Sequence, residues 1–181
     1  SYLFLNGASP LPVVMKKGLP TTGQTECYDD TQVIPCPLPG EPYYGQDAQH
    51  PGHPHDYEVV QPDPADPSTW YTIDYSTALM WQYVNDGQRK TWPEAHDYAS
   101  NLGLGGFDDW RVPNITELLS ILDLTHELPC FDTRAFDLVI EEPWYHTFWT
   151  STTPESNRTE AYVISFKYGT IHYSAKDPGY K

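Results

Sequence analysis

The sequence predicts an α+β fold with antiparallel sheets, and three observations carry that expectation. Strand-like segments stand at both ends of the region after Trp70. Between them lie two helix starts, each a capping residue with a glutamate three positions on, and no strand–helix–strand alternation links the two kinds of element. Ahead of Trp70 the chain is of another kind: residues 1–67 hold 12 of the 18 prolines. Proline locks φ and lacks an N–H, so no regular helix or central strand is expected at that density. The expected division is an extended proline-rich arm over 1–67 and a body over 68–181.

The arm opens with two apolar pieces, Tyr2–Leu5 and Leu11–Met15, too hydrophobic for a free tail. They are expected to add a strand to this chain's sheet or to a neighbour's. In the body, Trp70–Asp74 and Leu79–Val84 read as strands around a turn at Tyr75–Thr77. Thr91-Trp92-Pro93-Glu94 starts a helix on three agreeing signals: a capping Thr, a Pro in the first turn and a Glu at the capping-box position. Trp92, Ala95, Ala99 and Leu102 follow at helical spacing, and Gly103 stops the run. Asn114 with Glu117 makes a second start, and Ile115, Leu118, Leu119 and Leu122 form its apolar stripe. Gly105–Val112 between the helices reads as a turn into a short strand. Glu127–His146 has little periodicity and reads as a long loop. Strands return at Phe148–Thr152, then as a hairpin of Ala161–Phe166 and Thr170–Ser174, with Gly169 placed for a left-handed turn residue.

The formal net charge is −15, and its distribution says more than its size. Between Lys17 and Arg89 there is no Lys or Arg, while eleven carboxylates fall there, from Glu26 to Asp86. Such a surface repels phosphate backbones, sulfated glycans and anionic lipids, so nucleic acid is a poor partner. Calcium is a permissible ligand, with a solvated acidic face as the plainer reading. No run approaches the roughly 18 apolar residues of a membrane span. Ser1–Leu5 has no basic region followed by a long apolar run, so any signal peptide is expected to be gone already. Tyrosines (14) outnumber phenylalanines (6), which suits rings that pack one face and keep a wet hydroxyl.

Cys27 and Cys36 flank a segment whose Asp29-Asp30 pair is good turn chemistry. A short hairpin there brings the two sulfurs together, and the expected disulfide implies export. Cys130 is then a buried thiol or has a partner elsewhere.

One set of motifs resembles a known family. It starts at Thr22-Gly23-Gln24-Thr25 with Cys27-Tyr28-Asp29, Ile34-Pro35-Cys36-Pro37 and Gly45-Gln46-Asp47. It continues through Ala78-Leu79-Met80-Trp81, Thr91-Trp92, Ala95 and Tyr98-Ala99, and is densest at Asp109-Trp110-Arg111-Val112-Pro113-Asn114 with Glu117-Leu118. It closes with Trp149-Thr150-Ser151-Thr152-Thr153 and the Ala161–Phe166, Gly169–Tyr173 hairpin. Over about residues 20–180 this resembles the Lcl C-terminal-domain family of exported bacterial surface proteins. The resemblance implies a C-type-lectin-like, formylglycine-generating-enzyme-like fold, often trimeric. It also implies a role in adhesion or surface display, with ligand contacts from the C-terminal strands and loops. Two departures stand out. The family's adhesin binds sulfated glycosaminoglycans, which this acidic chain repels, and the family's usual Cys-containing strand after the hairpin is not in this sequence.

Candidate chemistry sorts into three groups. The structural motif residues Trp81, Trp92, Asp109, Trp110, Arg111, Asn114, Glu117 and Trp149 read as architecture: Asn114 caps a helix, Trp110 fills a core, and Arg111 pairs with a carboxylate. His50, His53 and His55 beside Asp56 carry zinc or copper ligand types, but Pro51 and Pro54 restrict convergence, and a solvated loop is the plainer reading. Nothing resembles a nucleophile elbow, a Cys–His pair or a phosphate-cradling loop, so no catalysis is expected, with a metal-dependent enzyme of the formylglycine-generating-like fold as a distant alternative. The remaining candidates are exposed aromatics with one arginine: Trp144, Tyr145, His146, Arg158, Tyr168, His172 and Tyr173. Such residues anchor interfaces to a glycan, a protein or another copy of the chain.

Overall fold

The computed structural model describes residues 18–126, 128–138 and 147–177, together with the backbone of Leu5 and Asn6. Mixed α+β architecture is what it shows, with two helices and three small antiparallel sheets. The strands are β1 (Leu5–Asn6), β2 (Cys27–Tyr28), β3 (Val33–Ile34), β4 (Tyr57–Val60), β5 (Tyr71–Asp74), β6 (Leu79–Gln82), β7 (Trp110–Arg111), β8 (Thr147–Trp149), β9 (Glu160–Ser165) and β10 (Thr170–Ala175). The helices are α1 (Trp92–Ser100) and α2 (Ile115–Leu119).

The main sheet runs β4-β5-β6-β1-β7. The first strand in sequence therefore lies inside it, with Leu5 opposite both Trp81 and Arg111. The N-terminal segment thus adds its strand to this chain's own sheet. Alternation sends β6 side chains to two cores. Leu79 and Trp81 face one, where Leu118, Ile121, Phe131, Phe136, Phe148, Ile164 and Phe166 are buried. Met80, with Ile73 beside it on β5, faces the other, built on Ala95 and Ala99 of α1, Leu104, Trp110 and Val112. The sheet is thus covered by α1 on one face, and by α2 with the β10-β9-β8 sheet on the other.

A chain of edge-to-face rings fills the first core. Tyr57–Phe136, Phe136–Phe131, Phe131–Phe166 and Phe166–Phe148 have centroids 5.3, 6.0, 5.5 and 5.3 Å apart. At these separations the positive ring edge meets the negative face of its neighbour. Two of these rings come from the stretch read as a loop. Its described part has no regular element, yet Phe131, Ala135, Phe136 and Leu138 are buried. Aperiodic backbone does not prevent apolar side chains from taking core positions, and here the backbone is held locally, as where Cys130 N donates to Phe166 O.

Both helix starts carry full capping boxes, Thr91 with Glu94 and Asn114 with Glu117, and Pro93 stands in the first turn of α1. The second helix is shorter than its apolar stripe. Leu122 lies beyond its end and still packs against the first core. The strand expected over Phe148–Thr152 leaves its ladder after Trp149, and Thr150 N and Thr152 O then both bond to Tyr162. The disulfide Cys27–Cys36 is present and closes a lobe around β2 and β3. Cys130 is buried, its thiol 3.8 Å from Lys167 O.

Candidate binding face

The β9–β10 hairpin carries two of the exposed tyrosines, Tyr168 and Tyr173. In β9, both alternating faces are buried: Ile164 is fully covered in the first core, and Ala161 and Val163 are buried on the other side. Its neighbour β10 is different. It is the sheet's edge, and no residue from Thr170 to Ala175 is buried. Ile171 stands opposite Ile164, and Tyr173 opposite Tyr162, so both extend the core face of the sheet. Yet Ile171 is 47% and Tyr173 59% exposed. The apolar face continues past the point where the core ends.

At the tip, Gly169 adopts φ 63°, the left-handed conformation that glycine takes without a Cβ clash. A Cβ there would lie 2.7 Å from Leu124 Cδ2, so the turn rests against Leu122 and Leu124. Tyr168 projects from this tip, 67% exposed, with Lys167 Nζ 5.2 Å from its ring centre. Leu124, against Gly169, is exposed as well. The face therefore consists of Tyr168, Ile171 and Tyr173, flanked by Leu124. Sequence reading missed the two aliphatics. Ile171 had a signal, since it shares the Tyr173 side of an alternating strand. Leu124 had none.

Other candidates lie elsewhere. His172 points to the opposite side of β10, opposite Val163. Arg158 precedes β9 and so sits a strand's length, about 17 Å, from Tyr168. Its side chain is 85% exposed, with Nη2 3.9 Å from Glu155 Oε1. Trp144, Tyr145 and His146 lie outside the described residues.

The motif residues hold the two cores together. Trp110 is buried in the second core, and its indole N–H donates to Leu104 O. Arg111 makes two hydrogen bonds to Glu117, of 2.9 and 2.6 Å, while Glu117 also accepts from Asn114 N. Burial opposes ionisation of Glu117, but those bonds and the guanidinium charge outweigh it and hold its carboxyl below the usual range. Asp109 is exposed beside this pair. Trp81 is fully buried; Trp149 Nε1 donates to Lys90 O and Trp92 Nε1 to Thr150 O. Lys176, after β10, lies 4.3 Å above the Trp92 ring and donates to Thr153 Oγ1. These contacts join α1 to the C-terminal sheet.

His50, His53, His55 and Asp56 are not brought together as ligands. The His50 ring meets Tyr44 edge-on, His53 packs beside Gly18, and the His55 ring stacks on Tyr57 and bonds its hydroxyl at 2.9 Å. Among the described residues no three His, Cys, Asp or Glu side chains form a group able to hold a metal ion. Nor is any helix there long and apolar enough to cross a membrane.

The molecule is thus an α+β domain in which the densest sequence motifs serve packing and an aromatic edge strand is left bare. Residues 71–181 match the family model of the Lcl C-terminal domain, and the chain belongs to that family. The disulfide lobe lies before the matched residues. Family membership and the intramolecular disulfide fit an exported surface protein, since such bonds persist in oxidising compartments. No curated protein and no solved structure matches the chain.

Proposed function

We propose that this chain is a non-catalytic binding module displayed outside the cell, holding a glycan or protein ligand on the face of the β9–β10 hairpin. One observation carries the reading: the core face of the C-terminal sheet extends onto an edge strand where Ile171 and Tyr173 stay 47% and 59% exposed. Rigid exposed aromatics give contact area at small entropic cost, which is why they anchor interfaces. The order of strands, two helices, irregular loop and strands supports a C-type-lectin-like arrangement. The net charge of −15 favours uncharged or basic ligands over sulfated ones. A structural subunit joined to its neighbours through the N-terminal arm is the weaker alternative, because Leu5–Asn6 pairs inside its own chain.

The test is a glycan array with a parallel protein pull-down, using the chain and its Tyr168→Ala/Tyr173→Ala variant. Loss of a specific ligand with an unchanged melting curve supports the reading. Turnover of a substrate by the purified chain, abolished by one point substitution, overturns it.

A further inference from the structure

The disulfide lobe carries a second exposed face. In its two-stranded sheet, Cys27 pairs with Ile34 and Tyr28 with Val33. Alternation turns the first pair inward, Cys27 buried and Ile34 half-buried, and the second outward, with Tyr28 39% and Val33 52% exposed. Gln46 fixes the neighbouring segment on this sheet. Its amide accepts from Tyr28 N at 2.9 Å and donates to Tyr28 O at 2.8 Å and to Tyr43 O at 3.0 Å. Tyr43 is thereby held at φ 65°, a region that bulky residues rarely enter. Its hydroxyl donates to Asp30 at 3.1 Å, and that of Tyr28 donates to Glu26 at 3.1 Å. Each exposed ring therefore has a carboxylate at its edge.

The chain itself shows what such a pairing receives. Lys90 Nζ lies 4.4 Å from the centre of the Tyr98 ring while bonded to the Asp86 carboxylate. Ring face and carboxylate hold one ammonium group together. The lobe also sets carboxylates beside exposed rings, here through the tyrosine hydroxyls, and its sequence has no Lys or Arg from residue 18 to residue 88. We propose that the outer face of the lobe, built on Tyr28, Val33 and Tyr43, is a docking surface for a lysine- or arginine-bearing segment of a partner protein. The aliphatic stem of such a side chain packs on Val33 and the rings, and its charged head meets Asp30 or Glu26. This face is built on other residues than the β9–β10 hairpin face.

The test uses the full chain and a labelled peptide of alternating arginine and glycine, with the same peptide carrying neutral citrulline as control, read by fluorescence anisotropy. Tyr43→Gly removes one ring at a backbone position that suits glycine, so the fold is retained; Tyr28→Ala removes the other. The arginine peptide should bind and the citrulline peptide should not. The double variant should weaken binding about tenfold, from roughly 0.5–1 kcal/mol for each cation over an exposed ring. The melting temperature of Tyr43→Gly should be unchanged or raised, and Tyr168→Ala/Tyr173→Ala should bind as the parent does. Equal binding by parent and double variant would assign the attraction to the net charge alone and overturn the proposal. So would absence of binding, or a neutral glycan whose binding alone depends on Tyr28 and Tyr43.

Discussion

Replacing Glu117 tests whether the densest sequence motif acts through packing. Its carboxylate accepts two hydrogen bonds from Arg111 and one from Asn114 N, while Asn114 Oδ1 accepts from Glu117 N. Glu117→Ala removes half a capping box, worth about 1 kcal/mol, and a charge-assisted pair, worth about 1.5–3 kcal/mol. The Arg111 side chain is 44% exposed, which puts the pair at the low end of its range. A loss of about 2–3 kcal/mol follows, or roughly 4–12 °C in melting temperature for a chain of this size. Glu117→Gln keeps an acceptor for Asn114 N but loses the charge, and should cost about 1 kcal/mol. The sign with pH is fixed by a folded-state carboxyl held below its usual value. Its stabilisation is complete above the unfolded value, about 4.3, and is lost as pH falls through the folded one. Melting curves of parent and Glu117→Gln should therefore differ at neutral pH and converge as pH falls below the folded-state value. A difference that persists undiminished in acid would refute the electrostatic account. Asp109→Asn, at the exposed neighbour, should change stability by less than about 0.5 kcal/mol.

Two further outcomes are expected. Cys27→Ser/Cys36→Ser opens a bond spanning a sequence separation of 9, for which loop entropy gives about 2–3 kcal/mol. Hydrogen exchange should accelerate in the lobe around β2 and β3 and stay slow in the strands from Tyr71 onward; uniform acceleration would contradict a locally acting bond. Gly169→Ala places a Cβ 2.7 Å from Leu124 Cδ2 at φ 63° and should lower stability by about 1–2 kcal/mol in chemical denaturation, whereas no change would mean the turn relaxes freely.

What the sequence made legible was local. A capping residue and its reciprocal glutamate lie three positions apart, so both helix starts were readable at Thr91 and Asn114. The β9–β10 hairpin was readable because alternation and its turn glycine share one short stretch. The strand at Leu5–Asn6 could not be placed, because its partners are 74 to 106 residues away by the register Asn6↔Met80 and Leu5↔Arg111 and its apolar pattern suits any open ladder. Tyr57–Val60 was hidden by surrounding prolines, which say nothing against a short edge strand between them. Phe131 and Phe136 were read as loop because burial does not require periodicity. The candidate face was half legible. Tyr168 and Tyr173 stood out by type, while Leu124 reaches it through the tertiary contact of Gly169.

The treatment of sheet edges bears on the proposed binding role. Exposed edge strands invite unwanted pairing, and proteins usually blunt them with charge, proline or brevity. At the β4 edge, Glu58 is exposed on the strand and Pro62 follows closely. The β7 edge is two residues long, flanked by Asp109 and Pro113. By contrast, β10 runs for six residues with no proline and no carboxylate between Lys167 and Lys176. In a chain with a net charge of −15, that omission leaves an aromatic edge strand without a carboxylate of its own. Such an edge is a liability unless it is used. A ligand that covers Ile171, Tyr173 and Tyr168 removes apolar surface from water and hides the open ladder at the same time, so the feature that threatens solubility in the free protein is also the one that gives a binding partner its driving force.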